Sequence, residues 1–155
     1  LWVWMNKRKI EPNTIVKFGL GFLFLAGGFY VFYLTKFFAN ENGFTSLNVF
    51  AFGWFIITFG ELCLSPIGMS VMTKLSPQKL QAGMMGMWFL ASAYGQYFAG
   101  LLGANIAKAS ENATNIEKLN TYADGYKQLG LYALIAGVVL IVISPFIKKL
   151  MGGVK

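Results

Sequence analysis

Four long apolar stretches decide what this chain can fold into. A helix needs about 20 predominantly apolar residues to cross a bilayer, and such runs extend from Thr14 to Leu34, Leu47 to Val71, Leu80 to Ala107 and Leu129 to Ile147. None alternates with a period of two, and within lipid only helices and closed barrels satisfy every backbone hydrogen bond. Of the 155 residues 56% are hydrophobic and 12% charged, against about 25% charged in an average soluble domain. A soluble domain of this size buries roughly two thirds of its surface, too little to hide this much apolar material. The expected fold is all-α, a polytopic membrane protein with four transmembrane helices surrounded by lipid.

Charge and turn formers fill the gaps. Lys7, Arg8, Lys9, Glu11, Pro12 and Asn13 precede the first run, and Lys36 to Ser46 follows it. Thr73 to Lys79 is a short link containing Pro77, and Lys108 to Gln128 reads as a longer polar loop. Leu1 to Met5 is apolar and aromatic but too short to span, and no initiator methionine precedes it. It is expected to be the end of an earlier helix, with its tryptophans at the interface, so that the chain reads as a piece of a longer protein. Alternation of four helices puts Lys7, Arg8, Lys9, Lys17, Lys74, Lys79, Lys148, Lys149 and Lys155 on one side. Lys36, Lys108, Lys118 and Lys127 fall on the other, sharing their loops with Glu41, Glu111, Glu117 and Asp124. Short cytoplasmic loops are the lysine- and arginine-rich ones, so the first side, with the C-terminus, is expected in the cytoplasm of an inner membrane. The net charge of +7 is explained by this asymmetry and by anionic headgroups, without nucleic acid as a partner.

Catalysis has little to work with. There is no histidine, and the single cysteine, Cys63, sits inside an apolar run, so neither a metal cluster nor a disulfide can be assembled. No cofactor is expected, and no enzyme activity. The sequon Asn112-Ala113-Thr114 lies in the long loop, but glycosylation needs a secretory route that nothing else in the sequence indicates.

One residue breaks the apolar pattern. Of the 6 acidic residues only Glu61 falls inside a spanning run, and at about 1.5 Å per residue from Leu47 it lies roughly 21 Å along, near or a little past mid-bilayer. A carboxylate there costs a few kcal/mol or more and normally faces a watery cavity or a charged partner; a protonated glutamate bonded between helices, or an ion pair made only for packing, is the alternative. Ser65 follows by four positions and shares its face. Pro66 removes one N–H and crowds the carbonyl of Leu62, and Gly68 adds flexibility beyond it, so this half of the helix is expected to bend or gate. In the third run Gly95, Ala99 and Gly103 recur on one face, with Gly83 and Gly86 earlier, and are expected to be packing surfaces.

These residues also carry a resemblance. Phe59-Gly60-Glu61-Leu62-Cys63-Leu64-Ser65-Pro66-Ile67-Gly68-Met69-Ser70, then Thr73-Lys74-Leu75-Ser76-Pro77, then Met84-Met85-Gly86-Met87-Trp88-Phe89-Leu90 resemble the tenth and eleventh helices of the proton-dependent oligopeptide transporters of the major facilitator superfamily. Leu1-Trp2-Val3-Trp4 through Glu11-Pro12 to Lys17-Phe18-Gly19-Leu20-Gly21 is similar to that family's passage from helix eight to helix nine. The resemblance implies that residues 1–155 form part of the C-terminal six-helix bundle of a symporter that carries di- and tripeptides with protons by alternating access. It implies that Glu61 contacts the peptide's amino terminus, that Trp88 lines the same pocket, and that Ser65 belongs to its wall. Gln96 stands where the family often has asparagine. The family's first-helix Glu-x-x-Glu-Arg motif, fourth-helix lysine and seventh-helix acid would lie upstream of Leu1, so the resemblance makes the missing N-terminal part of the transporter a partner of this chain. An ion-coupled carrier or channel for another solute, or a non-transporting assembly subunit, are the alternatives.

Overall fold

A computed structural model describes residues 5, 7, 8, 11–106 and 113–150. Four long helices account for most of them. These are α1 (Thr14–Leu34, 21 residues), α2 (Leu47–Leu75, 29 residues), α3 (Gln81–Ile106, 26 residues) and α4 (Asn115–Leu150, 36 residues). Short 3-10 turns at Thr35–Phe38 and Gln78–Leu80 follow α1 and precede α3. No strand occurs among the described residues. α1, α2 and α4 are long and apolar enough to cross a membrane. α3 is long enough, but Gly83, Gly86, Ser92, Tyr94, Gln96 and Tyr97 dilute its apolar character.

Local chemistry sets the ends. Asn13 caps α1 by accepting from the Val16 N–H at 2.8 Å, which satisfies one of the donors a helix start leaves open. At the far end the Thr35 hydroxyl donates to the Phe32 carbonyl at 2.6 Å and closes the helix. α2 stops at Ser76, whose extended backbone (φ −89°, ψ 138°) is what a following proline imposes. Thr114 and Glu117 form a capping box at the start of α4. The Thr114 N–H donates to Glu117 Oε2 at 2.8 Å and the Glu117 N–H to Thr114 Oγ1 at 3.3 Å.

These bounds correct parts of the sequence reading. α1 runs as expected, α2 continues past Val71 to Leu75, and the described part of α3 is Gln81–Ile106, after a 3-10 turn that holds Leu80. The polar stretch to Gln128 is not all loop: α4 begins at Asn115 and runs beyond Ile147 to Leu150. Polar residues did not stop the helix, which is capped at Thr114 and runs through them. Residues 1–4, with the helix end expected there, and Asn112 of the sequon lie outside the described residues.

α1 is the central helix, antiparallel to both α2 and α4. On one side Gly21 faces Gly60 and Gly28 faces Gly53; on the other Gly19 faces Gly137. A Cβ at Gly60 would lie 2.9 Å from the Gly21 carbonyl oxygen, and one at Gly137 would lie 3.0 Å from that of Gly19. The backbones touch, as small residues allow where lipid supplies no hydrophobic drive between helices. Gly21→Val should therefore force α1 and α2 apart, at about 1–3 kcal/mol for overpacking, and lower the detergent melting temperature. Gly27→Ala, whose added carbon would meet Ile56 at an ordinary 3.6 Å, should leave it unchanged. An equal loss in both variants would show that the seam is not what holds the pair. The small residues singled out in α3 behave differently, because a Cβ at Gly83, Gly86, Gly95 or Gly103 meets nothing within 4 Å among the described residues.

Polar contacts clamp both ends of the α1–α4 pair. At the start of α1, Asn13 Nδ2 donates to Ser144 Oγ at 2.7 Å, the Ser144 hydroxyl returns to Asn13 Oδ1 at 3.0 Å, and Lys17 pairs with Glu11. At the other end Lys36 Nζ lies 3.3 Å from Asp124 Oδ1 and 4.2 Å above the Tyr33 ring. Phe32 joins three helices there, its ring centroid 5.0 Å from Phe50 and 6.0 Å from Trp54 of α2, and 5.1 Å from Tyr126 of α4.

A candidate substrate face on helix α2

α2 presents three different faces. Gly53, Ile57, Gly60 and Leu64 form the seam with α1. Phe52, Phe55, Phe59 and Leu62 lie exposed on an apolar side, where Phe59 meets Phe24 at 6.1 Å. The third face carries the polar residues. Trp54, Thr58, Glu61, Ser65 and Gly68 follow one another at spacings of four and three and so lie on one stripe. At 100° per residue, Glu61 is on the side of the helix opposite Phe52.

Along that stripe Trp54, Thr58, Glu61 and Ser65 are all exposed. The Thr58 hydroxyl donates back to the Trp54 carbonyl at 2.9 Å and is thereby satisfied within the helix. No described residue pairs with the Glu61 carboxylate. An unpaired acid in a helix apolar enough to span is costly unless water or a bound cation reaches it. Among the described residues none covers the Glu61 side chain.

The Leu75 end of the stripe is covered. Trp88, from the first half of α3, lays its indole on Gly68, so closely that a Cβ there would be 2.0 Å from Cη2 of the ring. Phe18 of α1 meets the same indole edge-on, with centroids 6.5 Å apart at 84°. Three helices thus hold one ring, and the ring closes one end of the Glu61 stripe. Gln81 adds a second tie between α2 and α3 by donating to the Thr73 carbonyl at 3.1 Å. Further along, the described side chains of α3 from Phe89 to Ala104 are all exposed.

The structure therefore puts Glu61 and Ser65 on one face and Trp88 at its end. Helix α2 runs without a break through Pro66, which is itself exposed. Gly68, read from sequence as a flexible point, is buried and serves as the seat of the indole. Trp54 and Thr58 are not among the residues the sequence analysis names, although their positions seven and three residues before Glu61 place them on its stripe. A separate crevice of about 460 Å³ between Leu102 and the Thr121–Tyr132 part of α4 does not involve Glu61. Asp124 lines that crevice but is paired with Lys36, whereas the Glu61 carboxylate on the stripe has no described partner, so the stripe is the stronger candidate.

Comparison with known proteins bears on what this face serves. The profile of the POT family matches residues 2–122. An uncharacterized transporter of Bacillus subtilis, YclF, is 33% identical over 153 residues, which are 99% of this chain and 29% of its own length. The peptide transporter YePEPT of Yersinia enterocolitica is 33% identical over 97% of this chain and 29% of its length, and a di-/tripeptide transporter of Lactococcus lactis subsp. cremoris is 34% identical over 99% and 29%. A solved structure described under substrate recognition in proton dependent oligopeptide transporters superposes with a TM-score of 0.71 at 26% identity, covering 95% of this chain and 31% of that one. The chain thus spans a little under a third of the length of these relatives.

Proposed function

The chain belongs to the POT family, and on that premise we propose that it forms one wall of the substrate path in a proton-coupled symporter of di- and tripeptides. The whole transporter works by alternating access, and residues 1–155 belong to the C-terminal bundle of a major facilitator fold, with α3 as a fourth transmembrane helix beside the three apolar ones. In this reading Glu61 binds the peptide's ammonium group, Ser65 belongs to the pocket wall, and Trp88 lines the pocket while closing its end. Pro66 and the Gly68 seat mark where the end of α2 moves in gating. Protons enter through residues outside this chain.

The observation that carries the reading is the unpaired Glu61 on an open stripe of a membrane-spanning helix. A peptide is a zwitterion, so a protein that carries one across lipid must offer a buried anion to one end and a cation to the other, with water excluded so that each attraction is strong. The relatives named for peptides support that ligand class.

Uptake into proteoliposomes holding the transporter that contains this chain tests the proposal. An inward proton gradient should drive uptake of a labelled dipeptide, unlabelled di- and tripeptides should compete, free amino acids should not, and a protonophore should abolish uptake. Uptake indifferent to dipeptides, or to the gradient, would favour an ion-coupled carrier for another solute.

Topology follows from the same reading. Antiparallel packing puts Lys17, Lys74, Lys148 and Lys149 at one end of the helices, and Lys36, Lys118 and Lys127 at the other with Glu117 and Asp124. The lysine-rich end, with the C-terminus, faces the cytoplasm of the inner membrane. A cysteine placed at the exposed Glu117 should react with an impermeant thiol label in intact cells; reaction only in inverted vesicles would reverse the orientation.

A further inference from the structure

We propose that Trp54 is a specificity residue that contacts the third side chain of a tripeptide whose ammonium group is held by Glu61. The inference rests on the ammonium reading of Glu61 and adds a direction and a length to it.

The direction comes from helix geometry. Each Cα–Cβ bond of a helix tilts toward its N-terminus, so the Glu61 carboxylate is carried toward the Leu47 end of the stripe, where Trp54 lies. The other way is closed, because Trp88 sits across the stripe at Gly68. On the Trp54 side Thr58 and Trp54 are both exposed, and no described residue closes the stripe there as Trp88 does at Gly68. The length agrees. Seven residues at 1.5 Å put the Trp54 Cα about 10 Å from that of Glu61 along the helix axis. An extended peptide advances about 3.3–3.6 Å per residue, so a dipeptide ends short of Trp54 and the third residue of a tripeptide reaches it.

The indole is also built as a contact surface. It is 53% exposed, yet Phe32 braces it at 6.0 Å and 63° and Phe50 at 6.5 Å and 72°. Gly53 beside it makes room for the Phe32 ring, which would lie 2.5 Å from a Cβ at that position. A ring already held by two others loses little freedom when a ligand packs on it.

Binding of Ala-Ala, Ala-Ala-Phe and N-acetyl-Ala-Ala-Phe to the parent transporter, Trp54→Ala and Trp54→Phe tests this. Trp54→Ala should weaken Ala-Ala-Phe about tenfold and leave Ala-Ala within about twofold, in line with the loss of one apolar pocket contact. Trp54→Phe should keep most of the tripeptide affinity, which shows that the site still folds. Equal losses for both peptides, or no loss for the tripeptide, would overturn the assignment of Trp54. A parent that does not prefer the free tripeptide to its acetylated form would instead overturn the ammonium reading on which it rests.

Discussion

Glu61→Gln should weaken binding of a free-amine dipeptide by about thirty- to a thousand-fold, the equivalent of about 2–4 kcal/mol for losing a charge-assisted pair in a partly desolvated site. The fold should not suffer. Glutamine keeps the size and hydrogen-bonding capacity, no described residue depends on the carboxylate for a partner, and removing an uncompensated anion from a spanning helix makes insertion easier. Melting in detergent should therefore be unchanged or slightly higher while affinity collapses. Affinity and melting that fall together would mean that the carboxylate stabilises the bundle, and unchanged affinity would leave Glu61 a gating or proton-carrying role.

The second large effect is expected at the seat of Trp88. Gly68→Leu puts its first side-chain carbon where only 2.0 Å separates it from the indole, and an indole wedged against Phe18 has no soft end to yield. The ring has to leave, α3 loses its main hold on α2, and the cost should exceed the roughly 1–3 kcal/mol usual for overpacking. Transport should be lost. Trp88→Ala empties the same space and should also destabilise, by less than the roughly 3–5 kcal/mol of a fully buried tryptophan because the ring is only half-buried. Combining the two should cost far less than their sum, since the leucine then fills what the indole vacated; additive losses would mean that the two residues do not share a site. If Trp88 also lines the substrate pocket, peptide affinity in the folded fraction of Trp88→Ala falls as well. Affinity unchanged in that fraction would leave it a packing residue alone.

How much of this could be read in advance differs by residue. The bounds of α1 are legible because Pro12 and Asn13 mark its start and the apolar run that follows gives way to Thr35 and Lys36 at its end. Glu61 was legible because a single charge in an apolar run needs no tertiary information to stand out. The start of α4 was not, since hydropathy reports depth in the bilayer, while the Thr114–Glu117 box and good helix formers such as Glu117, Lys118, Leu119 and Ala123 carry the helix on into water. The glycines of α3 are regularly spaced, yet the close helix contacts are made by others, among them Gly19, Gly21, Gly28, Gly53, Gly60, Gly68 and Gly137. Which glycine faces which depends on how antiparallel helices cross, and no single run contains that. The same holds for Trp88: its meeting with Gly68 and Phe18 joins three helices, so the role of Gly68 as a seat could not be told from that of a hinge. Trp54 and Thr58 are the opposite case, fixed by spacing from Glu61 and available to anyone who counts turns from the acid.

The most direct measurement of the central claim is a set of four affinities, those of the parent and of Glu61→Gln for a dipeptide with a free amino terminus and for the same dipeptide acetylated. The cycle isolates the interaction between carboxylate and ammonium from everything else either change does. The expected result is a parent that strongly prefers the free amine, a variant that barely distinguishes the two, and a coupling of about 2–4 kcal/mol. A variant that keeps the parent's full preference for the free amine would contradict the assignment of Glu61 as the ammonium contact.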